Sequence, residues 1–220
     1  MDRDVLEYDA VIVGAGPAGL ACAIRLKQLK PDINICVLEK GAAVGAHSLS
    51  GAVIEPGPLD ALLPQWRESP PGICVPATRD EFRLLTRTGS IRLPTPPQMN
   101  NHGNMIVSLG LLTAWMGQQA ESLGVDVFPG FAAAEPLFDA NGAVAGVRIG
   151  DMGLTRSGEP GLNYSAGPEV RAPLTFIAEG ARGSLAKVLT SRFALDARAG
   201  PQSFGLGMKE LWQLPKWRVE

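Results

Sequence analysis

Polarity along the chain changes period several times, and each change marks an element. Residues 9–14, DAVIVG, form a short unbroken apolar run closed by glycine, the pattern of a parallel strand buried on both faces. From 18 to 29, Ala18, Leu20, Ala21, Cys22, Ala23, Ile24 and Leu26 leave almost no polar side for two turns. This predicts a helix covered on more than one side. KPD at 30–32 stops it, and INICVLE at 33–39 is a second apolar strand rich in β-branched residues. Strand, glycine turn, helix and strand make a βαβ unit, whose crossover is right-handed.

Regularity then lapses. Residues 41–58 are rich in Gly, Ala and Ser and read as an ordered loop; 59–81, with Pro64, Pro70, Pro71 and Pro76, read as irregular chain. FRLLTRTGSIRLP, 82–94, alternates as a hairpin around Gly89-Ser90, and the proline-rich PTPPQMNNHGN, 94–104, cannot be helix. Leu109, Leu112, Trp115 or Met116, Ala120 and Leu123 recur at three and four, which predicts a helix over 108–123 with Ser108 capping its start and Gly124 ending it. That spacing makes Trp115 and Met116 core residues rather than an electron path. VDVF, 125–128, is a third apolar strand. GAVAGVRIG, 142–150, and EVRAPLTFIAEG, 169–180, alternate like antiparallel strands on either side of a polar loop, 151–168. A short helix over about 183–194 and a strand beginning within 203–214 complete the pattern.

Composition narrows the function. The chain has 220 residues and a formal net charge of −2, so no broad basic surface is indicated and nucleic acid is not an expected partner. The three cysteines, Cys22, Cys36 and Cys74, lie far apart and offer neither metal spacing nor a disulfide framework. They point to a reducing compartment. The first motif begins so near the start that no signal or transit peptide is expected. No apolar run is long enough to span a membrane.

The candidate chemistry lies in VIVGAGPAGLACAI, 11–24, where Gly14, Gly16 and Gly19 follow G-x-G-x-x-G. Gly14 permits a tight turn, Gly16 lets the backbone approach a pyrophosphate, and Gly19 lets helix and strand pack closely. The helix N-terminus offers N–H groups and partial positive charge to phosphates. The motif alone is weak evidence, but Glu39 ends the next strand, where a carboxylate accepts ribose hydroxyls and repels a 2′-phosphate. The turn serves FAD and NAD alike. The downstream order, interrupted by a hairpin and an antiparallel excursion instead of repeating βαβ units, favours FAD. The expected fold is α/β, Rossmann-like, with a mainly parallel sheet plus that excursion.

Several stretches carry a more specific signal: VLEKGAAVGAHSLSGAVIEP, RLPTPPQMNNHGNMIVSLG, WMGQQAESLGVDVFPGFAAAE, IAEGARGSLAK and FGLGMKELWQLP. With the glycine turn they resemble the electron-transfer flavoprotein–ubiquinone oxidoreductase family, in order and over nearly the whole chain. The resemblance implies an FAD-dependent enzyme that passes electrons from reduced electron-transfer flavoprotein to a membrane quinone. It implies that Gly14, Gly16, Ala18, Gly19 and Glu39 hold the AMP half of FAD, with Lys40 nearby. It implies that His47 to Gly51 run close to the flavin ring, with Ser50 and Gly51 in near contact. Val127 would meet adenine through its backbone, and Glu179 and Gly180 belong to the segment that returns to the cofactor. No catalytic side chain is expected, and His47 and His102 read as loop-ordering residues. Ala181 and Ser184 replace the Cys and His of many relatives.

The family chain is much longer, and its later part supplies a second flavin-contacting segment, the quinone pocket and the thiolates of a [4Fe–4S] cluster. Residues 1–220 are therefore expected to be an incomplete FAD-binding domain, an N-terminal piece inactive alone, with 82–104 an insertion. The hairpin resembles a segment that touches the bilayer, so a peripheral position on the cytoplasmic side of a bacterial membrane is expected. A related NAD(P)H-dependent FAD reductase or hydroxylase, and an inert flavin-binding module, are the alternatives.

Overall fold

The structure is a computed structural model that describes residues 3–48, 51–68, 73–203, 205, 213 and 215. The first half contains β1 (Val5–Glu7), β2 (Ala10–Val13), α1 (Pro17–Leu29), β3 (Ile35–Glu39), β4 (Ala52–Ile54), α2 (Gly57–Leu62), β5 (Cys74–Pro76), β6 (Phe82–Leu85), β7 (Ser90–Leu93), β8 (Met105–Val107) and α3 (Leu109–Ser122). The second half contains β9 (Asp126–Pro129), β10 (Ala133–Phe138), β11 (Val144–Ile149), β12 (Met152–Leu154), β13 (Pro160–Ser165), β14 (Glu169–Arg171), β15 (Leu174–Ile177) and α4 (Ser184–Phe193).

A parallel sheet in the order β15-β2-β3-β9 forms the centre. Each of its inner strands feeds two cores. Ala10, Ile12, Ile35 and Val37 face one side, and Val11, Val13, Cys36 and Leu38 the other. Burial on both faces is why β2 and β3 are unbroken apolar runs without a polar alternate. On the first side α1 and α3 pack through Leu20, Ala23, Ile24, Leu112, Met116 and Ala120. On the second lies a mixed sheet, β1-β14-β11-β10, whose Val147, Ile149 and Val170 meet the parallel sheet. The result is helix layer, parallel sheet and mixed sheet, the α/β architecture expected.

Several expectations are corrected. The segment 169–180 is two strands: β14 runs antiparallel to β11, whereas β15 runs parallel to β2. Pro173, which has no N–H to give a ladder, sits at the break between them. The polar stretch 151–168 is no simple loop but the hairpin β12–β13, closed by a Thr155 N–H bond to the Glu159 carbonyl. Residues 41–58 contain β4 and the start of α2, and the region 59–81 contains β5 and a 3-10 turn over Trp66–Glu68. That turn buries Trp66 completely and holds its indole N–H 2.6 Å from Asp60. The hairpin β6–β7 forms as expected, but its turn is Thr86–Gly89 and Ser90 already begins β7. A single 3-10 turn, Pro97–Met99, interrupts the Pro-rich segment. Ser108 sits at the N-cap of α3 without making a side-chain cap bond. Of the strand expected within 203–214, residues 203, 205 and 213 have no regular structure and the others lie outside the described residues.

Candidate functional site

The turn after β2 is shaped by what its glycines lack. Gly14 adopts φ +104°, and a Cβ there would lie 2.5 Å from the Ala178 carbonyl oxygen. A Cβ on Gly19 would collide with the Gly14 carbonyl, so α1 meets the end of β2 at backbone contact. Gly16 is different. A Cβ on it would meet no atom of the described residues within 4 Å, and Gly16 lines a cavity of about 470 Å³. No side chain of the described residues occupies the room in front of Gly16.

That cavity lies where the parallel strands end. Val13 and Gly14 close β2, Leu38 and Glu39 close β3, and Ala178 follows β15; all line it. Crevices at the carboxyl ends of strands are where open α/β sheets take ligands. The first turn of α1 points there with Pro17 at its start, no side-chain cap and no acidic residue. The Ala18 and Gly19 N–H groups have no acceptor within the helix. Glu39 stands beside this opening: one carboxylate oxygen accepts the Ala15 N–H at 3.0 Å and the other the Gly41 N–H at 2.7 Å. The carboxylate is thereby oriented, and each oxygen keeps acceptor capacity for a hydroxyl.

A second helix also begins at this cavity. Gly183 and Ser184 line it at the start of α4. Here the N–H groups are already taken. Glu179 accepts from Ser184 at 3.0 Å, Leu185 at 3.3 Å and Ala186 at 2.8 Å. A Cβ on Gly183 would strike the Glu179 carboxylate, so glycine is what lets the carboxylate sit there.

The loop after β3 supplies another wall. Gly45 adopts φ +83°, and a Cβ on it would run into the Gly110 carbonyl in the first turn of α3. This close approach pins the loop whose His47 and Ser48 line the cavity. The far side is formed by the small residues Ala132 and Ala133.

Of the residues singled out from sequence, Gly14, Gly16, Glu39, Lys40, Glu179 and Gly180 come together at the cavity. Gly19 is buried behind them, and Ala18 is exposed on α1 outside the lining. Val127 lies in β9 opposite Val37, half-buried and also outside the lining. Gly51 is exposed with φ +79°, and Ser50 lies outside the described residues. His102 is exposed, away from the cavity, and its N–H bonds to the Asn100 side chain. Ala15, Ala132, Ala133 and Arg182 are lining residues that pattern reasoning passed over. Three are alanines with no chemical signal, placed by the strand ends beside them.

The profile of the Thi4 family matches residues 1–55. Over 216 residues, 96% of the chain, the sequence is 50% identical to the mitochondrial electron transfer flavoprotein-ubiquinone oxidoreductase of Dictyostelium discoideum, of which it covers 36%. It is 49% identical to the human protein of that name, with 96% of the chain and 35% of the relative covered. To a probable electron transfer flavoprotein-ubiquinone oxidoreductase of Acinetobacter baylyi it is 48% identical, with 97% and 39% covered. The chain thus spans a little over a third of the length of these relatives. Among solved structures, a myxobacterial chondrochloren halogenase, described as a variant of FAD-dependent halogenases, superposes with TM-score 0.57 at 15% identity, over 83% of this chain and 39% of that one. A geranylgeranyl bacteriochlorophyll reductase-like protein of Thermoplasma acidophilum does so with TM-score 0.54 at 20% identity, over 79% and 39%. These two likenesses speak for the fold.

Proposed function

We propose that this chain, a homologue of the electron transfer flavoprotein-ubiquinone oxidoreductases over nearly all of its length, binds FAD and is the flavin-holding part of an oxidoreductase of that kind. The observation that carries the reading is the empty-fronted Gly16 at an uncapped helix start with the Glu39 carboxylate beside it. This set suits the adenosine-diphosphate half of FAD. The first-turn N–H groups of α1 hold the pyrophosphate. Glu39 accepts the ribose hydroxyls, already oriented by Ala15 and Gly41. Lys40 lends positive charge from the adjoining wall. The loop carrying His47 and Ser48 and the Gly180 turn line the same cavity and would face the flavin half of the cofactor.

When bound, FAD would supply the redox chemistry of an oxidoreductase whose proposed donor is reduced electron-transfer flavoprotein and whose proposed acceptor is a membrane quinone. The chain's own task is to bind, orient and shield, so no catalytic side chain is assigned. A [4Fe–4S] cluster in the whole protein would need thiolates other than the scattered Cys22, Cys36 and Cys74. The hairpin β6–β7 is the proposed membrane contact. Leu84 and Ile91 face each other across it, and Leu84, Leu85 and Ile91 are 54%, 77% and 56% exposed among Arg83, Arg87 and Arg92. Apolar tips between cations suit shallow insertion at an anionic surface, which would make the protein peripheral on the cytoplasmic face. No helix among the described residues is long and apolar enough to cross a membrane.

The test is titration of the purified chain with FAD, followed by flavin absorbance and fluorescence quenching, and then addition of reduced electron-transfer flavoprotein. Saturable binding that Glu39→Gln weakens supports the site. Bleaching by electron-transfer flavoprotein supports the partner. Fast reduction by NAD(P)H alone would replace this reading with that of a related reductase. Bound flavin that neither donor reduces would leave a holding module without turnover.

A further inference from the structure

Glu179 fills a role that dinucleotide binding does not itself require, and the inference drawn from it rests on the reading just given. Two helix N-termini line one cavity of about 470 Å³. Each is a place where a diphosphate could settle, because first-turn N–H groups and the helix dipole attract anions at either. Among the described residues, the α4 start is the one whose first-turn N–H groups are themselves taken by a carboxylate of the chain; Glu39, beside α1, bonds to Ala15 ahead of the helix. The Glu179 carboxylate takes the N–H groups of Ser184, Leu185 and Ala186 within 3.3 Å. It also arrives from four residues before the N-cap, from the strand end rather than from the cap position itself. An ordinary cap at Gly183 would satisfy one first-turn N–H group, whereas Glu179 takes three. This arrangement instead fills the space at the cavity wall and demands glycine at 183.

We propose that Glu179 is a specificity-determining residue for the phosphate site: it plugs the second helix start and its charge repels a diphosphate from it. The pyrophosphate of the dinucleotide is then left one seat, at α1, and so one register along the cavity. The same carboxylate holds Gly180 to Ser184 in place as the cavity wall. It acts on the ligand by exclusion, not by contact.

The experiment counts anions. Inorganic pyrophosphate is titrated calorimetrically into the whole chain without divalent metal, in the absence and presence of saturating ADP. The wild-type chain takes up one equivalent, which ADP displaces. Glu179→Ala takes up two, the second insensitive to ADP. Glu179→Asp, which keeps the charge, takes up one. Gly183→Ala is the second route, because its Cβ forces the carboxylate off the N–H groups without deleting it. It gains the ADP-insensitive equivalent at lower affinity, and its result stands if Glu179→Ala does not fold. A purely structural cap would lower the melting temperature of these variants and leave every count at one; that outcome overturns the proposal. A wild-type chain that binds pyrophosphate but neither FAD nor ADP would defeat the dinucleotide reading instead, with the gain of a second equivalent still deciding the role of Glu179.

Discussion

The starts of α1 and α4 look alike in sequence and behave differently in space. Both follow a strand of the same parallel sheet through a glycine-rich turn, GAGPAG in one case and EGARGS in the other, and both open on the same cavity. At α1 the protein leaves the helix end bare: Pro17 brings no N–H, no side chain caps it, and Gly16 faces free space. At α4 the end is closed by Glu179, and the neighbouring glycine makes room for that carboxylate. Glycine and a helix start are therefore not enough to leave first-turn N–H groups open. What differs is whether the chain has already placed a carboxylate on them.

The largest effect should come from within α1 itself. Gly19→Ala drives a Cβ into the Gly14 carbonyl, where neither backbone can yield, and should cost about 3 kcal/mol or more, read as a lower urea midpoint at unchanged slope. Glu39→Gln should act on the ligand more than on the fold. Losing charge-assisted bonds to the ribose should weaken FAD by about 1.5–3 kcal/mol, on the order of ten- to a hundredfold, in a fluorescence titration. Gly16→Ala is the sharper partner to Gly19→Ala. Its backbone, φ −76° and ψ 175°, suits alanine, so stability should move by less than about 1 kcal/mol while FAD binding falls about tenfold. Equal loss of stability at 16 and 19 would break the distinction between space reserved for ligand and space used by the fold.

Two smaller measurements place the comparison within the rest of the molecule. Asp151, at the root of β12–β13, is held well below the usual carboxylate range, first by its bond to Arg3 and then by the Gly167 N–H. Its folded pKa is depressed, so its contribution is complete above the ordinary carboxylate value near about 3.9 and is lost as pH falls below it. Asp151→Asn should flatten the decline of the denaturation midpoint below about pH 4, and variants at either helix start should leave that decline unchanged. Cys36 is wholly buried in β3, and burial followed by the nearby Asp126 charge pushes its thiol up to about 12. It should resist alkylation at pH 8 in wild type and in Glu39→Gln, Glu179→Ala and Gly16→Ala. Labelling of Cys36 in any of these would mean that the sheet had opened and the effect was not local.

The legible parts of the molecule are those with a buried face. β2, α1 and β3 announce themselves because Val11, Ile12, Val37 and Leu38 have no polar alternates. α3 was readable from Leu112, Met116 and Ala120, all of which enter the core. β12 and β13 were not, because Met152, Leu154 and Leu162 stay exposed and no alternation records a buried side. β10 was hidden by Pro136, tolerable only because that strand lies at the edge of its sheet. In the site, Gly14, Gly16 and Glu39 were readable from spacing. Ala132 and Ala133 were not, since small apolar residues carry no sign of what they will face.

Local chemistry, then, was enough to write the glycine turn: glycine spacing, a strand before it, a helix after it and an acid at the next strand end are all short-range, and each restricts the backbone where it stands. Which helix start would remain open was settled only when β15 was laid beside β2. That pairing brings Glu179 to the cavity from some 160 residues beyond the turn, and a carboxylate's choice of N–H groups depends on distances that exist only after the sheet has closed.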